Sequence, residues 1–288
     1  MEVIESGPKL RAHLDDARQG GRSVGFVPTM GALHDGHLSL MRRARQETDV
    51  VAISIFVNPL QFGDAADLAS YPRLLEHDLR LAENTGVDVA FTPDEAEMYP
   101  NGQPEVTVHA GPIGDRLEGA ARTGHFDGVA TVVAKLFNLA GPCTAYFGQK
   151  DAQQLALIRR LVDDLDAPVT IVGCETVREP DGLAMSSRNL RLTNVQRAAA
   201  ACLYRALAYA GRLAGEGERD GNVLKAEMAK RIGAEPLAKL DYVAIVDDAT
   251  FEEVHQVSGP SRALVAARFG EIRLIDNLAL PKQEGTVR

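Results

Sequence analysis

The chain has 288 residues, of which 45% are hydrophobic and 25% charged, and its formal net charge is −9. These values are typical of a globular protein with one or two domains and argue against a nucleic-acid-binding surface, which would usually carry a basic patch. No apolar run approaches the roughly 18 residues of a membrane span, and the first six residues lack a secretory signal pattern. The three cysteines are far apart and odd in number, which predicts free thiols, no zinc site and a cytoplasmic protein.

The first half of the chain alternates strand-like and helix-like patterns. Short apolar runs predict strands at residues 23–28, 50–57, 87–91, 144–147 and 169–172. Apolar residues three or four apart predict helices at residues 37–47, 74–84, 129–140 and 152–165. A further short strand is predicted at 106–108. This alternation predicts an α/β fold, a Rossmann-like doubly wound parallel sheet that covers residues 1–176.

The pattern changes after about residue 176. One Ala- and Leu-rich helix is predicted at 194–213 and a second helix at 223–232. Three strand-like runs follow, at residues 242–246, 263–268 and 272–275. A turn at 269–271 would join the last two strands as a hairpin. Together these elements predict a smaller C-terminal α+β domain at 177–288.

Two histidines three residues apart, His34 and His37, follow the first predicted strand and its glycine-containing loop. A strand, a loop and a helix N-terminus in this order favour an anion such as phosphate, because free backbone N–H groups and the helix dipole point at it. Residues three apart lie on one helix face, so both imidazoles can donate to phosphate oxygens. A zinc site is the alternative, but the HExxH pattern is absent and no third ligand lies nearby in sequence.

A second polar stretch, at 148–154 (GQKDAQQ), follows a predicted strand and opens a predicted helix. Lys150 can supply a point charge to a phosphate, although a solvated loop lysine is the simpler interpretation. Asp151 is also well placed to cap the helix N-terminus. Asp151 and Gln154 are three residues apart, so both can face the carboxyl ends of the strands, where open α/β sheets bind ligands.

A third polar stretch lies at 185–189 (MSSRN). Two hydroxyls and a guanidinium in one loop suit a polyphosphate, because arginine binds phosphate oxygens in a bidentate manner. Taken by itself, the stretch is better interpreted as a polar turn that caps the following helix.

A fourth stretch, at 58–63 (NPLQFG), ends the predicted strand at 50–57. Its proline and glycine turn the chain out of the sheet. Asn58 and Gln61 are neutral polar groups at the carboxyl end of that strand and suit hydroxyls or a carboxylate, although ordinary turn chemistry is the alternative.

These four stretches, in this order, resemble the pantothenate synthetase (pantoate–β-alanine ligase) family of the HIGH-motif nucleotidyltransferase superfamily. Residues 28–37 (PTMGALHDGH) resemble the family's HIGH motif, and residues 185–189 resemble its KMSKS loop. Further similar stretches lie at 117–119, 122–133 and 273–277. The resemblance covers nearly the whole chain. We therefore expect an ATP- and pantoate-binding domain at 1–176 and a smaller domain at 177–288 that carries the KMSKS-like loop and covers the site.

The resemblance implies that pantoate and ATP give pantoyl adenylate and pyrophosphate, and that β-alanine then gives pantothenate and AMP. The implied catalytic residues are His34, His37, Lys150 and Arg188. The implied ATP-binding residues are Met30, His34, His37, Gly148, Gln149, Lys150, Asp151, Val177, Met185, Ser186, Ser187 and Arg188. Gln61 and Gln154 would bind pantoate. Mg²⁺ would accompany ATP, with Asp78 as the candidate for the metal's neighbourhood, and the protein would be a homodimer with small-molecule substrates only.

The sequence departs from the family pattern at three positions. Gln149 and His77 stand where acidic residues are more usual, and Arg188 stands where the wider superfamily has lysine. Another HIGH-motif nucleotidyltransferase, such as a nicotinate-nucleotide or phosphopantetheine adenylyltransferase, is disfavoured by the MSSRN loop and the separate C-terminal domain. A class I aminoacyl-tRNA synthetase is disfavoured by the short, acidic chain. A non-catalytic ATP-binding module is disfavoured because every polar position that the chemistry needs is filled.

Overall fold

A computed structural model describes residues 1–63 and 65–281. The chain divides into two compact units. Unit 1 is Met1–Gln149 with Gln153–Glu175, and unit 2 is Lys150–Ala152 with Thr176–Arg288. Among the described residues, no helix combines the length and the apolar character that crossing a bilayer requires.

Unit 1 is built, within the described residues, on a six-stranded sheet whose neighbouring strands are all parallel. Its strands are β1 (Glu2–Ile4), β2 (Val24–Thr29), β3 (Val50–Ile55), β4 (Val89–Phe91), β5 (Cys143–Gly148) and β6 (Val169–Cys174). Their spatial order is β1-β4-β3-β2-β5-β6, so the direction of winding reverses between β2 and β5. Open α/β sheets bind ligands at such a reversal, outside the carboxyl ends of the strands.

The helices of unit 1 cover both faces of this sheet. They are α1 (Gly7–Gln19), α2 (Asp35–Glu47), α3 (Ala65–Ser70), α4 (Leu75–Asn84), α5 (Glu95–Met98), α6 (Glu118–Ala121), α7 (His125–Ala140) and α8 (Ala152–Asp164). Successive residues of a strand point to opposite faces. Phe26 accordingly belongs to the core with α1 and α7, whereas Val27 belongs to the core with α2 and α4. Burial on both faces explains why these strands are continuous apolar runs.

Unit 2 packs helices against an antiparallel sheet. Its helices are α9 (Asn194–Ala200), α10 (Cys202–Gly215) and α11 (Gly221–Gly233). Its strands are β7 (Ala238–Asp247), β8 (Ser261–Phe269) and β9 (Ile272–Ala279), in the order β7-β8-β9. Leu203 and Leu207 of α10 are fully buried in the same core as Val265 of β8. The predicted fold class, a parallel α/β sheet with a smaller C-terminal α+β part, is confirmed.

Two element predictions were wrong, and some elements were missed. Residues 106–108 form no strand: Val106 is 88% exposed, and the Val108 N–H bonds to the Thr131 hydroxyl of α7 instead of to a neighbouring strand. The helix predicted at 194–213 is two helices, separated at Ala201. Both β1 and α1 were missed, although Leu10, Leu14 and Ala17 give α1 a buried stripe at helical spacing.

Candidate functional site

The loop between β2 and α2 places two imidazole rings at the N-terminus of α2. His34 is the N-cap residue, and its Nδ1 accepts the Gly36 N–H over 3.1 Å. The His37 Nδ1 in turn accepts the His34 N–H over 3.3 Å. A neutral imidazole that accepts at Nδ1 carries its hydrogen on Nε2. Both rings therefore use Nε2–H as their donor, and their centroids are 4.1 Å apart.

Gly36 explains part of the HDGH pattern. A Cβ atom at this position would lie 2.8 Å from Cε1 and 2.9 Å from Nδ1 of His34. A side chain would therefore push the ring away from the helix end that it caps. Two N–H-donating rings beside a helix N-terminus suit an anion, since the helix dipole adds to their effect.

Asn58 is a structural residue beyond the end of β3. Its side chain is 1% exposed, and its Nδ2 donates both to Gln61 Oε1 and to the Gly128 carbonyl, each over 3.1 Å. Its Oδ1 accepts the Tyr99 hydroxyl over 2.7 Å. The amide is thus used internally at both ends, so it holds its neighbours in place rather than offering a ligand contact.

Gln61 is positioned by this arrangement. Its residue is 7% exposed, and its Nε2 donates to the Met30 sulfur over 2.9 Å, which brings two of the predicted site residues together. The His125 Nδ1 lies 2.8 Å from the Gln61 carbonyl oxygen and fixes the backbone as well. A glutamine amide has two N–H groups and two oxygen lone pairs. Within residues 1–63 and 65–281, these contacts use one N–H and one lone pair of the Gln61 amide, so the second N–H suits a carboxylate or a hydroxyl and the second lone pair suits a hydroxyl.

Two adjacent glutamines of α8 differ in their surroundings. Gln153 is buried and donates to the carbonyl oxygens of Ile113 and Arg116, over 2.7 Å and 2.8 Å. Its Oε1 accepts the Glu118 N–H over 3.1 Å. Gln154, by contrast, is partly exposed. Gln153 therefore holds the segment before α6, and Gln154 is the member of the pair that a ligand can reach.

A narrow cleft in unit 2 brings three predicted ATP-binding residues together. It is lined by Lys150, Leu183, Ala184, Ser186, Arg188, Asn189, Arg273, Leu274 and Ile275. The Lys150 ammonium lies 3.2 Å from the Asp151 carboxylate. Cationic residues from three sequence-distant segments, Lys150, Arg188 and Arg273, line one cleft, which favours an anionic group. Arg273 was not among the predicted site residues, and its Nε also donates to Asp241 over 2.6 Å.

The MSSRN loop combines both interpretations that the sequence left open. The Ser186 hydroxyl oxygen accepts the Arg188 N–H over 3.3 Å and so caps a short 3₁₀ turn. The Met185 N–H donates to the Val177 carbonyl over 3.0 Å, so these two predicted residues are neighbours. The same loop therefore caps its own 3₁₀ turn and also lines one side of the cationic cleft.

Lys150 is held by residues of β9. The Asn277 amide donates to the Lys150 carbonyl over 2.8 Å and accepts from Arg262 over 2.6 Å. Beside it, the buried carboxylate of Asp276 accepts two N–H groups of Arg178, over 2.6 Å and 3.0 Å. Burial raises the pKa of Asp276, and the Arg178 guanidinium opposes that shift. The residue pattern predicted a strand here, but only the resemblance at 273–277 connected it with the site, since nothing in its residue spacing points to Lys150.

The remaining predicted residues lie elsewhere. Gly148 ends β5 opposite Cys174, and the Gln149 amide donates to the Gly173 carbonyl over 3.3 Å. Asp78 lies on α4, where its carboxylate accepts two backbone N–H groups of the β2–α2 loop. Across residues 1–63 and 65–281, no three His, Cys, Asp or Glu side chains are grouped to hold a metal ion. The magnesium neighbourhood at Asp78 stays a prediction.

Known sequences resemble this chain over nearly its whole length. A family model described as pantoate-beta-alanine ligase matches residues 2–279. A pantothenate synthetase from Heliobacterium modesticaldum is 53% identical over 280 residues, which are 97% of this chain and 99% of that protein. A pantothenate synthetase from Acidothermus cellulolyticus is 53% identical over 265 residues, which are 91% of this chain and 86% of that protein.

Solved structures give the same result. Pantothenate synthetase from Thermus thermophilus matches with a TM-score of 0.91 and 48% identity, covering 98% of this chain and 100% of that one. Pantoate-beta-alanine ligase from Francisella tularensis, complexed with beta-gamma ATP and beta-alanine, matches with a TM-score of 0.78 and 34% identity, covering 97% of each chain. On its sequence and its fold, the chain belongs to the pantoate-beta-alanine ligase family.

Proposed function

We propose that this chain joins pantoate to β-alanine with ATP, through an enzyme-bound pantoyl adenylate. The observation that supports it most directly is the pair of Nε2–H donors that His34 and His37 provide at the N-terminus of α2. Donors fixed before the reaction stabilise a phosphate whose charge is being redistributed. The Francisella relative was solved with beta-gamma ATP and beta-alanine, and we extend these two substrates to this chain.

The first step of the proposal forms the adenylate. A carboxylate oxygen of pantoate attacks the α-phosphorus of ATP, and an oxygen–phosphorus bond forms. The bond from that phosphorus to the bridging oxygen breaks, and pyrophosphate leaves with the electron pair. The barrier is mainly electrostatic and entropic, because two anions must meet in line. Gln61 and Gln154 would fix the pantoate, which is catalysis by position.

Charge on the phosphates needs separate stabilisation. His34 and His37 would donate to phosphate oxygens through Nε2–H. Lys150, Ser187 and Arg188 would offset charge on the transferring and leaving groups. The other predicted ATP-binding residues, namely Met30, Gly148, Gln149, Asp151, Val177, Met185 and Ser186, would shape the nucleotide site.

The second step forms the amide. The neutral amine of β-alanine attacks the acyl carbon, a carbon–nitrogen bond forms, and the bond to AMP breaks. The amine proton passes to solvent or to a histidine. Neither step forms a bond to the protein, so the proposal gives Cys143, Cys174 and Cys202 no chemical role.

Several finer features remain part of the proposal. Mg²⁺ would arrive with ATP, since this ion usually keeps several waters and binds through substrate phosphates. An ATP- and pantoate-binding domain at 1–176 and a second domain at 177–288 stay predictions, as do the cytoplasmic location and the homodimer.

Isotope exchange between pyrophosphate and ATP tests the adenylate. We expect exchange with pantoate and Mg²⁺ in the absence of β-alanine, and none with nicotinate mononucleotide or phosphopantetheine in place of pantoate. Pantothenate formation without any such exchange would contradict the adenylate intermediate. Absence of both exchange and pantothenate would contradict the whole proposed activity.

A further inference from the structure

The loop that leads from β2 to His34 has an unusual backbone. Gly31 and Ala32 both lie in the left-handed region, with φ of +79° and +50°. Glycine adopts this region freely, but alanine does so at an energetic cost from its Cβ atom. A buried alanine in this conformation persists only where its surroundings impose it. Contacts outside the loop must therefore hold it.

Asp78 supplies those contacts. Its residue is 1% exposed, and it lies in the first turn of α4. Its Oδ2 accepts the Ala32 N–H and its Oδ1 accepts the Leu33 N–H, each over 2.8 Å. The two oxygens thus bind two successive backbone N–H groups. Hydrogen bonds to a charged acceptor are stronger than neutral ones, so this contact can offset the strain at Ala32.

The backbone at Gly31 also packs closely against the Asp78 carboxylate. A Cβ atom on Gly31 would lie 2.9 Å from Asp78 Oδ2 and 3.1 Å from Ile55 Cγ2. The loop backbone therefore rests directly on the carboxylate. Met30, Gly31 and Asp78 also line an open cleft of about 330 Å³, so the held loop borders space that solvent and ligands can enter.

The next backbone N–H of the loop is bound by the histidine pair itself. Asp78 fixes the N–H groups of Ala32 and Leu33, and His37 Nδ1 accepts the next N–H, that of His34. Three successive amides are therefore bound by side chains from outside the loop. The direction of the His34 ring follows from this backbone, because the ring is anchored at Nδ1 by Gly36.

We propose that Asp78 is a positioning residue for the nucleotide. Its carboxylate holds the loop in the conformation that directs the Nε2–H groups of His34 and His37 toward phosphate oxygens. This inference rests on the proposed ATP-binding role of the two histidines. It assigns both oxygens of Asp78 to backbone N–H groups, and the work of the residue does not depend on a metal ion.

The variant Asp78→Asn tests this proposal. Asparagine has the same shape, but its NH₂ group cannot accept a backbone N–H, so one of the two contacts is lost. We expect faster hydrogen exchange at the amides of Ala32 and Leu33 in the ligand-free protein. We also expect the Kd for ATP, measured by calorimetry, and the KM for ATP to rise about ten- to a hundredfold, the scale on which a misplacement of about 1 Å acts. The KM for β-alanine should stay unchanged.

Glu76→Gln is the matched control. It removes the same charge from the same turn of α4, but Glu76 is exposed. In Glu76→Gln, hydrogen exchange at the Ala32 and Leu33 amides and the affinity for ATP should match those of the wild type. Gly31→Ala disturbs the same contact from the loop side and should weaken ATP binding too, which keeps the test decisive if Asp78→Asn does not fold.

Two results would overturn the inference. One is unchanged exchange at both loop amides in Asp78→Asn, and the other is faster exchange with unchanged ATP affinity and KM. The proposed function fails in a different way. A wild type that binds ATP but shows neither pantothenate formation nor pantoate-dependent exchange would overturn that function, while the calorimetry on the variants would still decide the role of Asp78.

Discussion

The side-chain amide of Asn277 on β9 donates a hydrogen bond of 2.8 Å to the main-chain carbonyl of Lys150. The same amide accepts an N–H of Arg262 over 2.6 Å, so it is held from its other end. Residues 127 positions apart in sequence are thereby joined within unit 2. The Lys150 backbone is therefore anchored by Asn277, whereas its side chain lines the cleft together with Arg188.

Replacing Asn277 with alanine should loosen Lys150. The change leaves a buried Arg262 N–H and a carbonyl without their partner, so we expect the free energy of unfolding to fall by about 1–3 kcal/mol. The KM for ATP should rise as well. Urea unfolding and steady-state kinetics measure the two effects, with Asn222→Ala as an exposed control on α11. A loss of stability with an unchanged ATP constant would show that Asn277 does not position Lys150.

Lys150→Ala should act on the first chemical step. Removing one fixed cation from the phosphates should lower the adenylation rate by roughly two to three decades. Single-turnover formation of pyrophosphate measures this rate. Lys9→Ala removes the same charge from an exposed position on α1 and should leave the rate unchanged. Near-normal single-turnover kinetics in Lys150→Ala would refute the role proposed for the ammonium.

Gly128→Ala should displace Gln61. A Cβ atom at this position would lie 2.3 Å from the Leu60 carbonyl oxygen and 2.7 Å from the Gln61 N atom. We expect a stability loss of about 1–3 kcal/mol from overpacking and a higher KM for pantoate. The control Gly233→Ala meets nothing within 4 Å and should change neither quantity. A KM for pantoate equal to that of the wild type would mean that this backbone contact does not set the position of the Gln61 amide.

Alanine substitutions of the two neighbouring glutamines of α8 should have different effects: Gln154→Ala should weaken pantoate binding, and Gln153→Ala should lower stability. Gln154→Ala should raise the KM for pantoate without lowering the melting temperature, since the residue is partly exposed. Gln153→Ala leaves two carbonyl oxygens and one N–H unpaired, so it should cost about 1–3 kcal/mol of stability. Thermal unfolding and pantoate titrations measure both variants. The reverse assignment of effects, or a change only in the ATP constant of Gln154→Ala, would contradict the proposal.

Cys202 makes the stability depend on pH in the alkaline range. Burial raises the pKa of its thiol from 9.0 to about 11. Above pH 9 the unfolded chain releases this proton more readily than the folded protein, so the free energy of unfolding should fall between about pH 9 and 11. Cys202→Ala removes this contribution, and urea midpoints measured across the range should decline less steeply than those of the wild type. Parallel declines would contradict the shift, and a loss of activity in this variant would contradict a mechanism without thiols.

The sequence predicted most of the strands whose two faces are both covered by helices. The strands at β2, β3 and β5 are apolar runs because helices cover both sheet faces, and that pattern is visible without a structure. The apolar pattern at 106–108 was misleading, because Val106 faces solvent and, in the part of the chain that the structure describes, no strand pairs with this segment. The break at Ala201 was missed because the apolar periodicity runs through it.

The sequence by itself determined the family and the order of the motifs, and it predicted the residues that we propose for their chemistry, because these depend on residue type and on short spacing. His34 and His37 are paired by a separation of three residues on one helix end, which any α-helix imposes. The tertiary structure alone decided which polar residues hold these groups in place. Asp78 reaches the Ala32 amide across 46 positions, and Gln153 rather than Gln154 is buried. Buried polar groups must find partners, and those partners come from whichever segment the fold brings near, so spacing along the chain does not reveal them.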